Sequence, residues 1–204
     1  MEEIISPIID WGVASQSLHG AQWSGDAYVV KAFKNKVLVA AIDGLGHGKH
    51  AEDAAGVAVT TLVNHHAEDI VPLVRRCHEE LLKTRGVVLS IALFNSTDDS
   101  INWLGVGNVN GYLLRNNPLV KPDHESLFLR GGVVGYQIPS LRPSSIHVNR
   151  GDILIFSTDG ISSGFEKEVN PQESPQQIAD KIITNYSRKT DDALVLVARY
   201  NGGL

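Results

Sequence analysis

An almost continuous apolar run from Val37 to Ile42 ends directly at Asp43 and Gly44, in the segment VLVAAIDGLGHGKH. A strand that is apolar on both faces is typical of the interior of a sheet packed on both sides. The Asp-Gly pair that follows is a turn signal, and it places a carboxylate at the end of the buried strand. What this glycine-rich turn holds is the main functional question that the sequence raises.

The remaining chain alternates between hairpins of strands and separate blocks of helix. Apolar residues at helical spacing predict helices over 48–67, 68–85 and 174–188, with Ser174 as N-cap and Pro175 in the first position of the last one. Segment 116–126 is expected to be a loop. Strands are predicted at 27–33, 37–42, 87–94, 101–106, 109–115, 145–149, 152–158 and 192–200. This order predicts an α+β fold with helices on the faces of antiparallel sheet, in a single domain over residues 1–204.

Composition and charge exclude several classes of function. The net charge of −5 offers no basic footprint for nucleic acid and little attraction to an anionic membrane. The single Cys77 excludes an intramolecular disulfide and fits a reducing compartment. No apolar run approaches the roughly 20 residues of a membrane span, and the acidic N-terminus lacks the basic region of a signal peptide. We therefore expect a cytoplasmic protein with neither nucleic acid nor membrane as partner.

The glycine-rich turn does not match either common nucleotide-binding motif. A Walker A loop would need glycine where Asp43 stands and a hydroxyl residue where His50 stands. The glycines of DGLGHG are spaced G-x-G-x-G, whereas a dinucleotide fingerprint requires G-x-G-x-x-G. A carboxylate at the mouth of the turn would also repel phosphate.

Acidic residues stand at the ends of four apolar strands. Asp26 enters one strand, Asp43 and Asp159 each follow one, and the pair Asp191–Asp192 enters the last. A lone Asp at a strand end is most often an ordinary turn residue. Four such ends, if they converge, would bring mutually repelling carboxylates together, and Mg²⁺ or Mn²⁺ would relieve that repulsion because both prefer oxygen ligands. A paired site of this kind activates water and neutralises a transferred phosphoryl group, which suggests hydrolysis of phosphate esters without a protein nucleophile.

Five segments, in this order, resemble the metal-dependent protein phosphatases of the PPM or type 2C family. They are SGDAYVV (24–30), VAAIDGLGHG (39–48), LGVGNVNGYLL (104–114), GDILIFSTDGISSG (151–164) and TDDALVLVAR (190–199). Within the family the chain resembles the compact bacterial branch that acts on regulators of sigma-factor partner switching and the stressosome. The resemblance implies a four-layer αββα sandwich, in which two antiparallel sheets are flanked by helices. It also implies Mn²⁺ or Mg²⁺, with two ions expected, and phosphoserine or phosphothreonine on a stressosome protein or an anti-sigma antagonist as substrate. We expect a monomer.

The resemblance also assigns roles to individual residues. Asp43 would bridge both ions, and the carbonyl of Gly44 would bind one of them. Asp159 and Asp191 would bind the other ion. The expected catalytic residues are Asp26, Asp43, Asp159 and Asp191, and the expected metal site comprises Asp26, Asp43, Gly44, Asp159, Asp191 and Asp192.

Two of these assignments leave alternatives open. Asp26 matches an Asp that lies behind the ligands or holds metal-bound water. Asp192 stands where relatives have Asn or Asp, which favours a place behind the ligands. The sequence does not decide which member of the Asp191–Asp192 pair is the ligand.

The chain departs from many eukaryotic members of the family at two points. Gly25 stands where they carry Glu, so one metal ligand is missing or replaced by water. The segment ASQSLHGAQWSGD lacks the Arg that binds phosphate in those relatives, with His19 as a candidate substitute. These departures motivate an alternative function, a catalytically weak docking module with the same fold. His47 and His50 invite a zinc interpretation, but no third ligand with matching spacing accompanies them, so surface histidines are expected.

Overall fold

Two sheets built from hairpins form the centre of the computed structural model, which describes residues 8–18, 22–117, 119, 122 and 124–202. Within this described part the helices are α1 (Lys49–Asn64), α2 (Ile70–Leu81) and α3 (Pro175–Tyr186), and a short 3-10 helix spans Phe165–Lys167. The strands are β1 (Ile9–Gln16), β2 (Asp26–Phe33), β3 (Lys36–Gly44), β4 (Val87–Asn95), β5 (Ser100–Val106), β6 (Asn110–Leu114), β7 (His124–Ser126), β8 (Leu129–Arg130), β9 (Ser144–His147), β10 (Ile153–Ser157) and β11 (Ala193–Tyr200).

The strands divide into two sheets of different order. The first sheet runs β1-β11-β10-β6-β7, and the second runs β2-β3-β4-β5-β8 with β9 also paired to β5. All these pairs are antiparallel except the two-residue contact between β5 and β8. The sheets therefore match the antiparallel expectation apart from this short segment.

Three apolar clusters define four layers. One cluster, which contains Phe94, Phe156 and Tyr200, fills the space between the two sheets. A second joins the outer face of the second sheet to α1 and α2, and a third joins the outer face of the first sheet to α3. Burial of apolar surface on both faces explains the unbroken apolar runs of β3, β10 and β11. The αββα sandwich predicted from the resemblance is confirmed.

Several local predictions were wrong. β1 was not predicted, because this edge strand buries only Ile9 and Gly12 fully and its sequence shows no clear alternation. Residues 124–126, predicted as loop, form β7 against β6. Helix α2 ends at Leu81 rather than 85, because the backbone and hydroxyl of Thr84 both donate to the carbonyl of Leu81 and close a turn there.

Helix α3 begins as the sequence predicted, and its N-terminus packs against β1 of the first sheet. Ser174 caps it, and the side chain of Gln177 returns to the backbone of Ser174. A methyl group on Gly12 of β1 would lie 2.4 Å from the Cα of Gln176, so only glycine allows this approach. The amide side chain of Gln176 then pairs with the backbone of Val13.

No helix in the described part of the chain is both long enough and apolar enough to cross a membrane. Cys77 is a free, fully buried cysteine of α2, and burial raises the pKa of its thiol to about 12. A thiol so rarely ionised is a packing residue rather than a nucleophile.

Candidate active site

Two of the four predicted acidic strand ends face each other in the second sheet. Asp26 is the first residue of β2, and Asp43 is the penultimate residue of β3. The antiparallel register places them directly opposite. Directly opposed residues have Cβ atoms about 4.5–5.5 Å apart, so the two carboxylates lie on one face at the same edge of the sheet.

The other acidic residues meet at the end of the first sheet. Asp159 follows β10 by two residues, and Asp191–Asp192 leads into β11, its hydrogen-bonded neighbour. A methyl group on Gly160 would lie 2.0 Å from the carbonyl oxygen of Asp192, which shows how closely the two turns pack. The glycine of this Asp-Gly pair is therefore required for the approach of the two turns.

Thr158 joins the two sheet ends. Its hydroxyl donates to Oδ2 of Asp26 at 2.7 Å and accepts the backbone N–H of Leu194 at 2.9 Å. Thr158 is fully buried and belongs to the first sheet's turn, whereas Asp26 belongs to the second sheet. The carboxylates of both sheets are thus brought to one site.

Burial and mutual repulsion raise the pKa values of two of these carboxyl groups. Burial, followed by repulsion from Asp43, raises the pKa of Asp26 to about 8 against an ordinary value of 3.8. Burial raises the pKa of Asp43 to about 7, with further contributions from Asp159, Asp191 and Asp192. A site that raises carboxyl pKa values in this way favours protons or cations over an empty, fully ionised state.

Asn108 orients one of the carboxylates. It lies in the turn between β5 and β6, which crosses from the second sheet to the first. Its side-chain nitrogen donates to Oδ2 of Asp159 at 2.8 Å. Asn108 and Thr158 were both missed as site residues in the sequence, although each lies inside a segment that resembles the phosphatases.

Backbone N–H groups hold both carboxylate oxygens of Asp192. The backbone N–H of Leu18 donates to its Oδ1, and that of Gly25 donates to its Oδ2, both at 2.7 Å. The side chain is buried, and both of its oxygens are engaged. Asp192 thereby connects the segment between β1 and β2 to the start of β11. Its neighbour Asp191 accepts the backbone N–H of Asp192, and no other donor to it is found among the residues that the structure describes.

Comparison with known proteins agrees with the fold. The family model for stage II sporulation protein E (SpoIIE) matches residues 34–201, which is most of the chain. The chain belongs to the SpoIIE family. Phosphoserine phosphatase RsbX of Bacillus subtilis (strain 168) is 25% identical over 182 residues, which cover 87% of this chain and 88% of that protein. The phosphatase-family resemblance predicted from the motifs is confirmed.

Solved structures extend the comparison to the whole fold. A structure described as "The bacterial stressosome: a modular system that has been adapted to control secondary messenger signaling" superposes with a TM-score of 0.85 and 26% identity, covering 94% of this chain and 99% of that chain. A crystal structure of RsbX in complex with magnesium superposes with a TM-score of 0.84 and 21% identity, covering 96% of this chain and 97% of that chain. The latter likeness shows the shared fold.

The donors in this SpoIIE-family chain fit a hard divalent cation. They are carboxylate oxygens from four strand ends, and their mutual repulsion contributes to the raised pKa values of Asp26 and Asp43. Across the described residues, no three His, Cys, Asp or Glu side chains lie in an arrangement that could hold a metal ion. Two of the carboxylates are instead held by protein donors, Asp26 by Thr158 and Asp159 by Asn108.

The backbone around Asp43 is shaped for close approach. A methyl group on Gly44 would lie 2.1 Å from the carbonyl oxygen of Ala51, so a side chain here would displace the start of α1. A methyl group on Gly25 would lie 3.0 Å from the carbonyl oxygen of Gly44 and 3.1 Å from Cβ of Ala51. A carboxylate side chain at position 25 therefore has little space in this chain.

Three histidines and one tryptophan stand in the segments next to Asp26 and Asp43 in the sequence: His19, Trp23, His47 and His50. His47 and His50 are exposed, and no third ligand in the described ranges completes a zinc site with them. His19 lies outside the described residues. Trp23, in the turn before Asp26, is partly exposed and carries the ammonium group of Lys49 5.7 Å from its ring centroid.

Proposed function

We propose that this protein is a metal-dependent serine/threonine phosphatase that hydrolyses phosphoserine or phosphothreonine on stress-response regulatory proteins. The observation that carries the proposal is the convergence of Asp26, Asp43, Asp159 and Asp191 from four strand ends. The phosphatase class is that of RsbX, which shares 25% identity over most of both chains.

The proposed metal ligands are the carboxylates of Asp43, Asp159 and Asp191 and the backbone carbonyl of Gly44. Two Mg²⁺ or Mn²⁺ ions would suit this donor set, and these oxygens would hold them. Bound there, such ions lower the pKa of a coordinated water and offset the negative charge of a phosphoryl group. The magnesium complex of RsbX supports the choice of metal.

The protein's own task is to orient these oxygens before substrate binds. Thr158 holds Asp26 through its hydroxyl, which fixes the direction of the carboxylate. Asn108 holds Oδ2 of Asp159 in the same way. We assign Asp192 to positioning, since both of its oxygens accept backbone N–H groups. Pre-oriented groups of this kind reduce the reorganisation needed in the transition state.

The proposed substrates are phosphorylated stressosome proteins or anti-sigma antagonists. The likeness to the stressosome-related structure, at 26% identity, supports this assignment. We further propose that the chain works as a monomer in the cytoplasm and that residues 1–204 act as a single domain.

The test measures phosphate release from a phosphoserine-bearing regulator with Mn²⁺, with chelator, and with Asp43→Asn. We expect chelation to abolish turnover and Asp43→Asn to reduce kcat/KM by about 100-fold or more, because a proposed metal ligand is lost. Asp53→Asn is the matched control, since Asp53 is an exposed carboxylate of α1 away from the strand ends. Equal activity of Asp43→Asn and Asp53→Asn would refute the proposal.

A docking module remains the second candidate because of one observation. Gly25 supplies no carboxylate, and its surroundings leave little room for one. If this function holds, the metal-loaded protein captures the phosphorylated regulator without releasing phosphate, and capture survives Asp43→Asn. Turnover that needs both Mn²⁺ and Asp43 would exclude it.

A further inference from the structure

The candidate site has many anionic groups and needs a cation for its anionic substrate. Four carboxylates converge on it, and a phosphorylated side chain brings further negative charge. From Ile8 to Val30 the sequence contains no Arg or Lys. Besides the proposed metal ions, a side-chain cation that contacts the substrate must therefore come from another part of the fold.

Arg85 is brought to the site by the pairing of β3 with β4. Gly44 pairs with Val87 in the antiparallel register, and the backbone N–H of Leu45 donates to the carbonyl of Gly86 at 3.1 Å. The next residues on each side are Gly46 and Arg85. Arg85 thus lies at the sheet edge that carries Asp43.

The contact between Arg85 and Gly46 is close. A methyl group placed on the Cα of Gly46 would lie 2.6 Å from Nη1 of Arg85. Gly46 also has a φ of 91°, which favours glycine independently. Because Gly46 has no side chain, the guanidinium group of Arg85 has room to lie against the turn that follows Asp43.

Arg85 is also available to bind a ligand. It is exposed, and among the described residues it has neither a hydrogen-bond nor an ion-pair partner. By contrast, Arg115 is held by Glu125 and Asp152, and Arg76 is held by Glu68. A guanidinium without a partner in the described part of the chain, at the same end of the second sheet as Asp43, retains its full capacity for an oxyanion.

We propose that Arg85 is a substrate-binding residue whose guanidinium binds an oxyanion of the phosphoprotein. The oxyanion is the phosphate of the reacting residue or a carboxylate that flanks it. Guanidinium presents two parallel donors to either group, which a lysine ammonium does not. This inference rests on the proposed phosphatase function and supplies the anion-binding group that the segment before Asp26 lacks.

The experiment compares Arg85→Gln, Arg85→Lys and the matched control Lys83→Gln. Lys83 is an exposed cation two residues earlier, so the control loses the same charge from the same surface. Steady-state kinetics with Mn²⁺ are measured on p-nitrophenyl phosphate and on phosphoserine peptides with and without acidic flanking residues. Mn²⁺ affinity is measured for each variant by calorimetry.

We expect Arg85→Gln to raise KM about 10-fold while kcat and Mn²⁺ affinity change little, as for loss of a charge-assisted hydrogen bond to substrate. Arg85→Lys should recover part of the loss, and Lys83→Gln should stay near wild type. A KM effect on p-nitrophenyl phosphate assigns the contact to phosphate, and an effect only on acid-flanked peptides assigns it to a flanking carboxylate.

Arg85→Gln kinetics equal to those of Lys83→Gln would overturn the inference. A fall in kcat or Mn²⁺ affinity with unchanged KM would also overturn it, because Arg85 would then support the turn rather than bind substrate. If the wild-type protein shows no turnover, the proposed function fails separately. Binding of a non-hydrolysable phosphonate analogue of the peptide, weakened by Arg85→Gln but not by Lys83→Gln, then decides the role of Arg85.

Discussion

The hydroxyl of Thr158 donates to Oδ2 of Asp26 at 2.7 Å, and this hydrogen bond links the two sheets at the end where the carboxylates meet. Thr158 is fully buried and also accepts the backbone N–H of Leu194. The Thr158 side chain therefore orients a carboxylate of the second sheet. It also accepts a backbone hydrogen bond at the start of β11 in the first sheet.

Thr158→Val tests this link because valine keeps the shape and loses the hydroxyl. The buried partners would be left without their hydrogen bonds, which should cost about 1–3 kcal/mol in free energy of unfolding. Loss of the hydrogen bond would also raise the pKa of Asp26 further, since Thr158 lowers it. We expect kcat/KM to fall about 10-fold, as for loss of a group that orients a metal-site residue. Thr158→Ser should restore most of the lost free energy of unfolding and most of the lost kcat/KM. Equal stability and equal kcat/KM for Thr158→Val and Thr158→Ser would contradict the role of the hydroxyl.

Asp192→Asn tests whether Asp192 is a positioning residue or a metal ligand. Asparagine has one acceptor oxygen, so the backbone N–H groups of Leu18 and Gly25 could not both be satisfied. We expect a loss of about 1–3 kcal/mol in stability and faster hydrogen exchange at Leu18 and Gly25. Asp191→Asn should instead weaken Mn²⁺ binding with little effect on those two amides. The opposite pattern would make Asp192 the ligand.

The raised carboxyl pKa values predict how the metal-free protein responds to pH. Asp26 and Asp43 have pKa values of about 8 and about 7 in the folded state, above the ordinary 3.8. The folded protein therefore holds protons that the unfolded chain releases, so the stability they contribute is complete below about pH 4 and is lost as pH rises through 7 to 8.

Melting temperature in chelator, measured between pH 5 and 9, should therefore decrease as pH rises. Asp43→Asn should flatten this decrease, whereas Asp53→Asn should not. Mg²⁺ should raise the melting temperature most above pH 7, because protons no longer compete for the carboxylates. A wild-type pH profile that coincides with that of Asp43→Asn would show that Asp43 does not titrate abnormally.

Alanine substitutions at Gly44 and at Gly56 should change the free energy of unfolding in opposite directions. Alanine at Gly44 would place Cβ 2.1 Å from the carbonyl oxygen of Ala51, so α1 must shift and stability should fall by several kcal/mol, as in other overpacked sites. Gly56, inside α1, has open space within 4 Å of the position that a methyl group would take, so Gly56→Ala should stabilise by about 0.5–1 kcal/mol. Chemical denaturation measures both, and a tolerated Gly44→Ala would contradict the close approach of α1.

The acidic part of the site was predictable because the signal is local. Asp43 and Asp159 each follow an unbroken apolar run, and Asp26 and Asp191 each precede one, so strand ends are visible in the sequence. That the four ends meet depends on the order and register of the strands, which local pattern does not contain. The resemblance to the phosphatases supplied that arrangement.

Thr158 and Asn108 could not be found by the same reasoning. Neutral polar residues in turns are common, and their roles follow from contacts with residues 132 and 51 positions away. Arg85 was missed for a similar reason, because its contact with Gly46 arises from the register of β3 and β4. β1 was missed because an edge strand with few buried side chains carries little periodic signal.

The central claim is that carboxylates from both sheets hold the same divalent cations, and anomalous diffraction from Mn²⁺-soaked crystals tests it most directly. We predict anomalous peaks coordinated by Asp43, the carbonyl of Gly44, Asp159 and Asp191, and no Mn²⁺ bound there in crystals of Asp43→Asn. Absence of any peak at the four strand ends at saturating Mn²⁺, or peaks coordinated only by other residues, would contradict it.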